Sequence, residues 1–236
     1  MRIYCIIFCL VGIAIYPSLA DAQITEDSVP TQVSHVQVEA GVDYVFVQEP
    51  TTQHAIGGLN LVGRLGVSDF AELRLGLPNI AFEDLASSSD TMSFGEVMIG
   101  ARLGAELTER FMVGVIPQMG ISAQTGHLLG GVLGTADFGL TDDIMVGANL
   151  GLNVSDAGQQ WASEGFASAA VAWAADERVG LYLESFAVAT AQDTTVFGDI
   201  GVTYVVADWL ESELYVGVQL PEASSLISGM ALTFVL

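Results

Sequence analysis

The sequence predicts an all-β protein: a closed, antiparallel, up-and-down transmembrane β-barrel of about 12 strands. Three observations carry that expectation. Hydropathy alternates with period two over segments of about ten residues, which gives strands with two unlike faces. Tight acidic turns alternate along the chain with longer polar connections. The chain is also apolar and acidic at once: 51% of its 236 residues are hydrophobic and 14% charged, with 6 Lys+Arg against 28 Asp+Glu and a net charge of −22.

Composition excludes several classes. A mean hydropathy of +0.52 is incompatible with an acidic disordered chain, which is poor in apolar residues. All the basic residues are scattered arginines, so there is no basic footprint and no nucleic-acid partner is expected. An ordinary soluble domain rarely combines this hydropathy with so few charges.

Taken in order, residues 1–22 read as a signal peptide. Met1-Arg2 is a basic start, Ile3 to Tyr16 an apolar run, and Pro17 to Ala22 ends in small residues with cleavage expected after Ala22. The competing reading, an N-terminal anchor, needs a longer run. Both cysteines, Cys5 and Cys9, lie in this segment, so the mature chain is expected to hold no disulfide. Residues 23–34 are short and polar; the expectation is a mobile periplasmic end, entry into the lumen being the alternative.

The mature chain holds no good transmembrane-helix candidate. Its longest uncharged stretch, Phe111 to Ala136, is broken by Pro117, Gln118, Ser122, Gln124 and several glycines. Alternation instead marks strands at 35–48, 57–67, 71–78, 93–103, 111–121, 128–139, 144–153, 164–173, 178–188, 195–206, 210–220 and 227–236. Val36, Val38, Ala40, Val42, Tyr44 and Phe46 oppose Gln37, Glu39, Gly41 and Asp43, for example, and Leu73, Leu75 and Leu77 oppose Glu72, Arg74 and Gly76.

Acidic residues at 69, 109, 142, 176 and 208 mark the tight turns, at spacings of 40, 33, 34 and 32, an internal hairpin repeat. Longer connections fall at 78–92, 154–163, 189–194 and 221–226. Short turns on one side and long loops on the other is the barrel arrangement, with the short turns periplasmic. Aromatic residues fall near both ends. Phe70, Phe111, Phe138, Trp173, Tyr204, Trp209 and Phe234 lie near the turns; Tyr44, Phe46, Phe94, Phe166, Phe186 and Phe197 lie near the loops. Two interfacial belts are the expectation. The last strand, Met230 to Leu236, keeps its apolar alternation to the final residue and is similar to the signal read by the barrel-assembly machinery.

Gly66 to Arg74, Asn149-Leu150-Gly151-Leu152, Leu181 to Phe186 and Asp199 to Asp208 with the strand to Gly217 together resemble outer-membrane transporters of the meta-pathway of phenol degradation family. The likeness covers about residues 55–236. It implies a small outer-membrane barrel of a Gram-negative bacterium that passes hydrophobic or aromatic compounds. Ile116-Pro117-Gln118-Met119-Gly120 departs from the Pro-Thr-Gly expected there, and Leu236 replaces a terminal aromatic.

With apolar faces in lipid, the opposite faces line the lumen. The expected pore-lining residues are Glu39, Asp43, Arg64, Glu72, Arg74, Glu96, Arg102, Asp137, Arg178, Glu184, Asp199, Glu211 and Glu213. Ions are confined there because desolvating them in hydrocarbon is costly. Arg64, Glu72, Arg74, Glu96 and Arg102 are placed for a cross-strand ion-pair ladder. The carboxylates of the last strands and the first lack matching arginines, which predicts a negative wall and a preference for cations in an open pore.

Catalysis is not expected. His35, His54 and His127 are far apart, no pair has metal-ligand spacing, and Ser122 near His127 is a weak serine–histidine signal. No cofactor or metal is expected. The expected partners are outer-membrane lipid and lipopolysaccharide, the assembly machinery and a small-molecule solute. The functional expectation is a channel for passive diffusion of small solutes. A non-conducting structural barrel is the alternative, and a soluble secreted β-domain the third reading.

Overall fold

The computed structural model describes residues 30–48, 53–85, 91–156, 161–220 and 225–236. The expected signal peptide and residues 23–29 lie outside the described residues. The strands are β1 (Val36–Gln48), β2 (Gln53–Ser68), β3 (Ala71–Gly76), β4 (Ile80–Leu85), β5 (Thr91–Phe94), β6 (Glu96–Thr108) and β7 (Phe111–Ser122). They continue with β8 (Leu128–Gly139), β9 (Ile144–Asp156), β10 (Trp161–Ala174), β11 (Val179–Thr190), β12 (Thr194–Ala207), β13 (Leu210–Leu220) and β14 (Ser225–Val235).

All strand pairings are antiparallel, and β1 pairs with both β2 and β14, so the sheet closes on itself. Val36 and Leu236 exchange backbone hydrogen bonds of 3.0 and 2.8 Å at the seam. β2 pairs with β3 along one half and with β4 along the other, so β3 and β4 are two lengths of a single stave. β5 and β6 form the next stave, interrupted at Gly95. The closed wall therefore has twelve staves, the number expected.

The interruption at Leu77-Pro78-Asn79 has a local cause, since Pro78 has no N–H to give the ladder. Bonds on either side hold the wall together: Leu77 N–H donates to Leu61 O at 2.9 Å and Gly95 N–H to Asn79 O at 2.8 Å. This corrects the long connection expected at 78–92. Strand pairing continues through Leu85 and resumes at Thr91.

At one end the staves are joined by the tight turns. Three of these, after Ser68, Thr108 and Ala207, carry a register shift beside the turn, the bulge that lets a two-residue connection match strand twist. In the turn before β11, Asp176 Oδ1 accepts from Arg178 N and Val179 N at 2.7 and 3.0 Å. Thr141 Oγ1 plays the same part before β9, accepting from Asp143 N and Ile144 N at 3.2 and 3.0 Å. Side-chain oxygens thus satisfy the backbone where the ladder ends.

Outward residues are apolar and open. Leu73, Ile99, Met119, Leu183, Ile200 and Leu214 are exposed, and Leu150 is 72% exposed. So large an apolar exterior on a closed wall belongs in hydrocarbon. At about 3.4 Å per residue, the uninterrupted staves of 11–16 residues span a bilayer even when tilted by about 40°. None of the described helices is long and apolar enough to cross a membrane; the crossing is made by strands.

The turn-end aromatic belt is present. Phe70, Phe138, Trp173, Tyr204 and Trp209 are exposed, and Phe111–Phe138 and Trp209–Phe234 pack as pairs with centroids 6.3 and 6.4 Å apart. The loop-end belt needs correction. Phe94 is exposed, but Phe166, Phe186 and Phe197 are buried inside the barrel. They share the parity of Glu164, Glu184 and Asp199, which faces inward.

Nitroxide labels at Leu73, Val146 and Val202 in the vesicle-reconstituted protein are expected to be relaxed by oxygen dissolved in acyl chains. A label at Asn149 is expected to be shielded from it. Relaxation of the first three by aqueous reagents alone would exclude a lipid-facing exterior.

Candidate functional site

The interior is built in two halves. The half near the turns holds a cavity of about 710 Å³. Its wall includes Glu39, Arg64, Arg102, Asp137, Glu184, Glu211 and Glu213, with Gly147, Ala170, Ala172 and Gly180 between them. The half near the loops holds an apolar cluster of Phe166, Phe186, Val188, Phe197 and Ile227, against which Val45, Leu133 and Tyr215 pack.

The polar half is organised around Glu72, which is 0% exposed. Its Oε1 faces Arg74 Nε at 3.6 Å, Arg102 Nε at 3.8 Å and Arg64 Nη1 at 3.9 Å. Its Oε2 accepts from Thr31 N and Thr31 Oγ1 at 2.7 and 2.8 Å. Arg64 also donates from Nη2 to Glu39 Oε2 at 2.6 Å. One carboxylate thus ties together three staves and the segment before β1, and the ions compensate one another where water is scarce.

That segment corrects the expectation of a mobile end, at least from Pro30 onward. Thr31 and Gln32 lie against the backbone of Gly66, where a Cβ would overlap their carbonyl oxygens. Ser34 N–H donates to Gly66 O at 2.9 Å, and Ser34 takes φ 67° to turn the chain into β1. Pro30, Thr31, Gln32 and His35 consequently line the cavity mouth. A stretch with no hydrophobic period gives no sign of this docking in the sequence.

The opposite wall uses a different device. β10 to β14 and β1 carry Glu164, Glu184, Asp199, Glu211, Glu213, Glu39 and Asp43 and no basic residue. Tyrosine hydroxyls supply donors there: Tyr182 donates to Glu213 and Tyr215 to Asp43. Asn60 Nδ2 adds a bond of 3.1 Å to Asp43 Oδ2. Each tyrosine ring lies across a glycine of the next strand, Tyr182 over Gly201 and Tyr215 over Gly229, where a Cβ would collide with the ring. Neither tyrosine is among the residues singled out in the sequence, although both share the parity of those carboxylates.

Twelve of the thirteen expected lining residues sit on inward faces, and two details differ from expectation. Arg178 lies in the exposed turn before β11, outside the lumen. Glu96 is on the inner face but takes no part in the Glu72 cluster, because it lies six residues, roughly 20 Å, along β6 from Arg102. Glu72 itself is sealed beneath Thr31 and its arginines, so it holds the wall without touching the cavity. Asp199 is 4% exposed, and its Oδ2 has no hydrogen-bond partner among the described residues.

Among the described residues no serine–histidine pair forms. Ser122 Oγ accepts from Thr125 N at 3.2 Å, and His35 and His127 lie at opposite ends of the barrel. The side chain of His54 lies outside the described residues. Among the described residues no three His, Cys, Asp or Glu side chains converge to hold a metal ion.

No family model and no curated protein sequence matches the chain. Solved structures do match in fold. The COG4313 outer membrane channel from Pseudomonas putida F1 superposes with a TM-score of 0.72 at 10% identity, covering 89% of this chain and 98% of that one. The NanC porin gives 0.58 at 8% identity over 84% and 98%. The KdgM porin in complex with disordered oligogalacturonate gives 0.56 at 9% identity over 82% and 98%. The fold is thus that of closed outer-membrane β-barrel channels.

Removing one member of a buried ion cluster strands the others. Glu72→Ala is expected to destabilise the barrel by about 3 kcal/mol, read by urea unfolding in vesicles. Glu106→Ala, at an exposed position on the inner face of the neighbouring stave, is expected to change stability by less than about 0.5 kcal/mol. Equal effects of the two would remove Glu72 from the centre of the arrangement.

Proposed function

We propose that this protein is an outer-membrane channel of a Gram-negative bacterium, a passive diffusion path for small solutes. The observation that carries the reading is the cavity of about 710 Å³ inside a closed wall, lined by charged and small residues. The likeness in fold to channels and porins supports it. On this reading the tight turns and both ends of β1–β14 face the periplasm, the loops face outward, and a signal peptide is removed after Ala22. Met230–Leu236 is then the strand read by the barrel-assembly machinery, with lipid and lipopolysaccharide as surroundings. No catalysis is assigned.

Two features refine the solute class. The arginine-free wall from β10 round to β1 gives cations the lower barrier, because rings of carboxylates select by charge. The buried layer of Phe166, Phe186 and Phe197 offers apolar contact to hydrophobic or aromatic solutes. The resemblance to the phenol-degradation family supports the same class.

One observation favours a second reading, a barrel that conducts nothing. Phe186 and Val188 are each 2% exposed and Ile116 1%, so the loop half of the lumen is packed at these residues. Planar-bilayer recording separates the two. A channel is expected to show discrete conductance steps, with a reversal potential in a salt gradient displaced toward the cation equilibrium value. Thr31→Val, which removes one of the bonds to Glu72, is expected to raise the open-state conductance. A silent bilayer containing correctly folded protein would assign the structural role, and an anion-directed reversal potential would refute the charge argument.

A further inference from the structure

We infer that the inner-wall patch of Glu184, Asp199, Phe186 and Phe197 is a subsite for the ammonium head of an organic amine. The inference rests on the channel reading and names one solute class for it.

The patch is set by register. Glu184 stands directly opposite Asp199, and Phe186 directly opposite Phe197, on β11 and β12. The two pairs are consecutive on the inner face, about 7 Å apart along the strands. The phenyl rings stack with centroids 4.9 Å apart and an interplanar angle of 14°. Two carboxylates face each other below them, 3% and 4% exposed, an arrangement that disfavours both charges at once. Asp199 Oδ2 is buried with no hydrogen-bond partner among the described residues. Glu184 also lines the cavity, as does Glu213, so the patch borders the cavity at Glu184, with Asp199 opposite it in register.

A cation entering from that cavity meets a carboxylate oxygen that needs a donor and an aromatic pair beside it. A metal ion uses several convergent oxygens and gains little from the rings. An ammonium uses both, donating charge-assisted hydrogen bonds to Asp199 and resting on a phenyl face. Its apolar body stays in the cavity, along the strip of Ala170, Ala172 and Gly180.

Benzylammonium and its neutral counterpart benzyl alcohol are the probes, titrated by calorimetry into the protein purified from membranes in detergent, in parallel with sodium-chloride conductance. Benzylammonium is expected to bind at least about tenfold more tightly than benzyl alcohol. Asp199→Asn is expected to abolish that difference, and Phe197→Leu to weaken benzylammonium several-fold while Asp199 is kept. Should Asp199→Asn fail to give the heat-shifted gel mobility of a folded barrel, Glu184→Gln and Phe197→Leu decide the matter. Equal affinity for the two probes overturns the subsite, as does unchanged selectivity in the folded variants. Selective binding without sodium current would retain the subsite and remove the channel; current without selective binding would do the reverse.

Discussion

A bilayer core offers a backbone no hydrogen-bond partner, and the seam between β1 and β14 is how this chain meets that constraint. Eleven residue pairs, from Gln37↔Val235 to Val47↔Ser225, join the first strand to the last. With the edges removed, outward positions along the middle of the wall are left to apolar and small side chains, and the charges there are driven inward. The interruption at Pro78 obeys the same rule. A proline costs the ladder a donor, and the bonds from Leu77 to Leu61 and from Gly95 to Asn79 confine that loss to a single kink.

Confining charge to the inside creates a second problem, which the two sides of the barrel solve differently. On β2, β3 and β6, arginines neutralise Glu39 and Glu72 across short distances. On β10 to β14 and β1 there is no arginine, so tyrosine hydroxyls donate to carboxylates instead. A tyrosine can reach its partner only by crossing the intervening strand, and glycine at positions 201 and 229 leaves that space clear. Neutral donors satisfy hydrogen bonding without cancelling charge. One side of the lumen is therefore electrically quiet and the other remains negative.

Much of this was legible in the sequence, because period two reports on both faces of a strand at once. The strand count, the turn end and the inward face of twelve of the thirteen charged residues follow from alternation alone. Arg178 failed because a turn has no parity, and Glu96 failed because parity gives a face without giving height along it. Phe166, Phe186 and Phe197 are the instructive error. Chemical type and nearness to loops point to a membrane belt, although the parity that turns Glu184 inward turns Phe186 inward as well. The docking of Thr31 on Glu72 lay beyond sequence reasoning. It depends on an open backbone at Gly66 and on three arginines from separate strands, contacts that no local pattern encodes.

What sets the bore is then the distribution of bulk around the circumference. A twelve-stave barrel is intermediate between small barrels filled by side chains and wide, water-filled ones. Here bulk is concentrated on the arginine cluster and on the tyrosines and phenylalanines, while Gly147, Ala170, Ala172 and Gly180 leave β9 to β11 nearly flush with the backbone near the turns. The cavity follows that smooth strip. On the channel reading, a solute moving along it has small residues at its back and carboxylates beside it. It next reaches Glu184, the last charged lining residue below the phenylalanine layer. On that reading the aromatic residues limit size and the carboxylates sign, so separate substitutions can alter each without disturbing the seam on which the wall depends.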